Sequence, residues 1–197
     1  MEEGSQIPSA FVESYNQLVE LGLIFPSAIT DYAKASQASL HSLLNYALIR
    51  AGTRTDYLAF PEYKLRLKVP LKTPKGRHQH FIQVDTAYFK GDSLKGVGEV
   101  FTLDELHGCI PSGDFAEKWQ TPYDKLNHVA QHFPGIFVVI VNVIPSQARM
   151  PPWKGVKDRS LEQWKQGWEQ LIRDLRAKGA TAHHIVIDEK QALPETC

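Results

Sequence analysis

Cysteine is nearly absent from this 197-residue chain: Cys109 and Cys197 are far apart and one is terminal, which excludes a disulfide framework and a cysteine-based metal cluster. Net charge is lacking as well. Twenty-two Lys and Arg balance 22 Asp and Glu, so any nucleic-acid partner has to be argued from a local patch rather than from a global field. The longest apolar run, Ile136 to Val141, is far too short to cross a bilayer, and no N-terminal basic-then-apolar segment resembles a signal peptide. A cytoplasmic protein with no membrane partner is expected. Internal repeats and low-complexity tracts are absent too. What remains is an ordinary globular composition, 43% hydrophobic and 22% charged, sufficient for one well-buried domain over residues 1–197.

The informative stretch runs from His80 to Glu105, two strand patterns joined by the turn residues Lys90-Gly91-Asp92-Ser93. Each strand holds one acid. Period-two alternation places Phe81, Gln83, Asp85, Ala87 and Phe89 on one face of the first strand, and Val97, Glu99 and Phe101 on one face of the second. Turn length decides whether the acids meet. A loop of Gly91, Asp92 and Ser93 sets Asp85 opposite Glu99, whereas a turn of Gly91 and Asp92 alone sets Asp85 opposite Gly98 unless a bulge compensates. Carboxylates directly opposite have Cβ atoms roughly 4.5–5.5 Å apart and repel, so the pairing calls for a cation or a shared proton between them. Taken singly, Asp85 reads as a hydrogen-bonded buried acid and Glu99 as a solvent-facing strand residue.

The rest of the chain reads as alternating helices and strands. A first helix capped by Ser9 carries Phe11, Tyr15, Leu18 and Leu21, and a second from Ser36 to Ala51 carries Leu40, Leu43, Leu44, Ala47 and Leu48. Tyr57 to Val69 is a strand pattern leading into a loop from Pro70 to Arg77. Between Lys64 and His80 there are Lys64, Arg66, Lys68, Lys72, Lys75 and Arg77 and no acid, a patch suited to phosphates or simply to solvent. Thr121-Pro122 starts a helix with Leu126, Val129, Ala130 and Phe133 inward, and Ile136 to Ile144 is a strand covered on both faces. A long helix from Asp158 to Lys178 carries Trp164 and Trp168 at core spacing, and a last strand runs from Ala182 to Ile187. His128 with His132, and His183 with His184, lack the further ligand a metal site needs and read as surface histidines. Asp104 and Glu105 offer a further ligand or, more simply, a solvent-facing turn. Cys109 has only His107 close by and no nucleophile motif, which gives acyl-transfer chemistry little support.

The order of a strand with Val84-Asp85, a short hairpin, and Gly98-Glu99-Val100 in the next strand resembles the PD-(D/E)xK nuclease superfamily. The resemblance implies an α/β fold with a mixed central sheet flanked by helices and a restriction-endonuclease-like core of helix, three strands, helix and strand. Residues 36–145 would form that core, 1–35 an N-terminal helical cover, and 146–197 a C-terminal helix and strand extension. It further implies phosphodiester hydrolysis with Mg2+ or Mn2+ held by Asp85, Glu99 and the carbonyl of Val100. The superfamily lysine belongs where this chain has Phe101, and many members add an acid from the first core helix, which has none here. Lys125, ahead of Lys118, is the substitute lysine. Lys68, Lys72, Lys75 and Arg77 would hold nucleic acid, DNA ahead of RNA. The alternative is a catalytically inactive relative that binds nucleic acid, or a protein-interaction subunit with another protein or a second copy as partner.

Overall fold

The computed structural model describes residues 4–25, 29–72, 78–101, 122–144, 161–188 and 195–196. The elements are α1 (Ile7–Glu20), α2 (Ile29–Arg54), β1 (Leu58–Lys72), β2 (His78–Lys90), β3 (Ser93–Phe101), α3 (Pro122–His132), β4 (Phe137–Ile144), α4 (Leu161–Ala177), β5 (Thr181–Asp188) and the two-residue β6 (Glu195–Thr196). The strands form one mixed sheet in sequence order. β2 runs antiparallel to both of its neighbours, β1 and β3, and β4 is parallel to β3 on one side and β5 on the other. No helix among the described residues is long and apolar enough to cross a membrane.

Two apolar cores sandwich this sheet. Leu40, Leu44, Ala47, Leu48 and Ala51 recur at helical spacing on α2 and pack with α1, Tyr88, Val100, Val139 and Val141 on one face. Leu126 and Val129 of α3 and Trp168, Leu171 and Leu175 of α4 pack with Val97, Phe101, Val138 and Ile140 on the other. β4, buried on both faces, accordingly reads as an unbroken apolar run from Phe137 to Val141. Gly96 makes room for this packing, because a Cβ there would lie 2.3 Å from the Phe137 ring.

Several boundaries differ from the sequence reading. Helix α1 is entered through Gln6, without a side-chain cap, and Ser9 is an interior residue whose hydroxyl donates to the Gln6 carbonyl. α2 begins at Ile29 rather than Ser36. β1 continues through Pro70 and Leu71 to Lys72, residues expected in the loop, after an irregularity between Arg66 and Leu71. The expected Thr121 cap, the start of α4 before Leu161, and Lys75, Arg77, Asp104, Glu105, His107, Cys109 and Lys118 lie outside the described residues. His184, expected at the surface, is buried and stacks on the Trp168 ring with centroids 5.9 Å apart.

Candidate functional site

The two acids meet because the hairpin contains a bulge. Lys90 pairs with Ser93 and Phe89 with Leu94 around a tight turn of Gly91 and Asp92, and then Tyr88 pairs with Gly96, leaving Lys95 as the extra residue. The shift restores the longer-loop register. Thr86 pairs with Gly98, so Asp85 is the next residue opposite Glu99.

At that point the ladder between β2 and β3 gives way to side-chain bonds. The Val100 N–H donates to Asp85 Oδ2 at 2.8 Å, and the Asp85 N–H points to Glu99 Oε1 at 3.4 Å. Each carboxylate thus takes a backbone donor from the opposite strand, which sets both acids in the cleft where the strands part. β2 changes face here as well. Thr86 and Tyr88 face α2, whereas Val84 and Ile82, at alternating positions further back, belong to the core under α3 and α4. β1 makes the same switch opposite, where Glu62 adopts a left-handed φ of 49°. The simple alternation that put Asp85 with Ala87 therefore fails at Asp85 itself.

Residues from both layers close on this cleft. From α2, His41 Nε2 stands 3.1 Å from Asp85 Oδ2, and the carboxylate makes it the donor. One turn on, Asn45 donates Nδ2 to the Asp85 carbonyl at 3.0 Å and accepts from the Thr86 hydroxyl. From α3, Lys125 Nζ donates to Glu99 Oε2 at 2.7 Å. Lys125 lies one turn before the buried Val129, so its stem runs along the packed face of the helix and its ammonium reaches the sheet.

Glu99 is 1% exposed, the opposite of the solvent-facing residue expected of it taken singly. Burial pushes its carboxyl up to about 8, with the Asp85 charge adding to the rise and Lys125 opposing it. Phe101, at the superfamily lysine's position, is buried with its ring 5.1 Å from that of Trp168. A cation there would be driven into the apolar core, and the site's ammonium comes from α3 instead.

Asp85, Glu99 and Lys125 are thus brought together, with Val100 adjoining them through its N–H. Lys68 is exposed on β1, and Lys72 ends that strand. His41 and Asn45 are not acids, and the superfamily pattern of an acid on the first core helix does not point to them. Their signal is a polar pair one turn apart beside the Leu40, Leu44 and Leu48 stripe.

Asp85 and Glu99 are the oxygen donors of this cleft that could hold a hard divalent cation. The Val100 N–H and His41 both bond Asp85 through Oδ2, and a buried carboxylate disfavoured in its charged form, as Glu99 is, gains from a nearby positive charge. No group of three or more His, Cys, Asp or Glu that could hold a metal occurs among the described residues, but Mg2+ commonly binds through one or two carboxylates and keeps several waters. No protein family, curated protein or solved structure matches this chain.

Proposed function

We propose that the protein is a divalent-metal-dependent nuclease of the PD-(D/E)xK kind, cytoplasmic and acting on DNA ahead of RNA, in which Lys125 supplies the ammonium that Phe101 cannot. The observation that carries this reading is the 2.7 Å approach of Lys125 Nζ to Glu99 beside Asp85, from a helix that follows the acid-bearing strands. The element order α2, β1, β2, β3, α3, β4 supports it, being the helix, three strands, helix and strand that the resemblance implies.

In this reading Asp85 and Glu99 would hold Mg2+ or Mn2+, with the Val100 carbonyl as a further oxygen. The bound ion would neutralise charge on the phosphate and acidify a bound water. His41 and Asn45 fix the Asp85 carboxylate and its peptide, so that the acid arrives in one orientation. Lys125 donates towards the same space and can hold the attacking water or the developing phosphate charge. Wild type should cut labelled DNA only with Mn2+ or Mg2+, and Asp85→Asn, Glu99→Gln and Lys125→Met should each abolish cutting. Metal-independent cleavage, or cleavage surviving in all three variants, would refute the assignment.

One observation favours the alternative of an inactive nucleic-acid-binding relative. The Lys125 ammonium offsets part of the cost of a charged Glu99, as in a site kept for structure alone. Manganese-dependent stabilisation without cleavage would select it.

A further inference from the structure

Beyond the last β2–β3 pair, Thr86 with Gly98, the strands β1 and β2 continue as a two-stranded arm. Leu65, Leu67, Ile82 and Val84 cover one face of the arm and are buried in the core beneath α3. The other face is open. It carries Lys64, Arg66 and Lys68 on β1, all exposed, and Phe81 and Gln83 on β2. Phe81 is 47% exposed, a large ring left in water, and it lies directly opposite Arg66 in the register. Gln83 lies opposite Lys64 and bonds Glu62, and the next alternating position on β2 is Asp85. The open face therefore runs into the carboxylate cleft from the His41 side.

We propose that this face is a binding track for single-stranded nucleic acid, with Lys64, Arg66 and Lys68 on phosphates and Phe81 as the stacking platform for a base, delivering the backbone to Asp85. The inference rests on reading Asp85 and Glu99 as a nuclease site, and names its substrate class. Three cations without an interleaved acid complement a phosphodiester chain, and they do so locally in a protein of zero net charge. Residues on one strand face recur about every 6.6 Å, a spacing that lets successive cations meet successive phosphates of one strand. An exposed ring among cations is the arrangement that binds unpaired bases through their π-faces, which a duplex does not offer along its flank.

Fluorescence anisotropy of the full chain with labelled oligothymidylate, oligouridylate and a blunt duplex, all in chelator, tests the track apart from catalysis. Either single strand should bind more tightly than the duplex. Phe81→Ala should weaken single-strand binding roughly five- to a hundredfold, and Phe81→Tyr should retain it. Exchanging Lys64, Arg66 and Lys68 together for Gln should lower the slope of log affinity against log salt by about 2, at ~0.7 per phosphate contact. Absent single-strand binding at low salt, preference for the duplex, or equal displacement by polyglutamate from wild type and Phe81→Ala would each overturn the proposal, the last pointing to an acidic protein partner. The nuclease reading fails separately: binding that responds to these variants without metal-dependent cleavage leaves the track standing, and cleavage indifferent to them removes the track alone.

Discussion

Replacing Glu99 by Gln isolates what the buried acid costs the fold. The carboxyl is 1% exposed and pushed up to about 8, from an ordinary value of 4.5, chiefly by burial. A folded-state value above the unfolded one means that the native protein binds this proton more tightly. The associated stability is fully present below pH 4.5 and is lost as pH rises through about 8. At 1.36 kcal/mol per unit the loss is on the order of 5 kcal/mol, a large part of a typical domain's stability. Glutamine resembles the protonated acid and has nothing to ionise. In urea unfolding with chelator, wild type and Glu99→Gln should therefore be of similar stability at pH 5, and the variant should become the more stable by several kcal/mol at pH 9. Other titrating groups are common to both proteins and cancel in the difference. Parallel pH profiles would refute the reasoning, since Glu99 would then be ionised at no cost, its charge fully met by Lys125.

Metal should act on the same pair: at a hundredfold excess over the dissociation constant, Mn2+ should stabilise wild type by about 2.7 kcal/mol, and Asp85→Asn should lose that gain in thermal melts. Equal shifts in both proteins would place the cation elsewhere. His184, whose imidazole burial holds down at about 4 from an ordinary 6.5, should add an acid-side weakness. The unfolded chain takes up this proton first, so stability present above pH 6.5 is lost as pH falls towards about 4, on the order of 3 kcal/mol. His184→Phe, which keeps a ring against Trp168, should flatten that limb, and an unchanged acid midpoint would count against it.

The legible parts of the molecule were those whose cause is local. The Gly91 turn, the apolar run of β4 and the Pro122 helix start each carry their reason in neighbouring residues, and the structure has them where that chemistry requires. Lys95 was not legible as a bulge, because either hairpin register satisfied the turn residues. What decides is tertiary: Gly96 must face the Phe137 ring with no Cβ between them. The left-handed Glu62 was equally hidden, since glutamate is not a residue type that announces a positive φ. Yet it lies across from Asp85, where both strands change face.

The site follows from that switch. A strand pair that alternated regularly would send Asp85 to the α3 side and bury two like charges against each other with only Lys125 to offset them. By changing face at Asp85, β2 turns its acid to His41 and Asn45 of α2, while Glu99 stays on the Lys125 side. The two carboxylates are then held by opposite layers of the fold and touch only through backbone N–H groups. Such an arrangement keeps both acids present without a cation and leaves them converging on one cleft. The strand pattern singles out the acids, but the helix residues that hold Asp85 are an amide and an imidazole, which no pattern of carboxylates on α2 would mark.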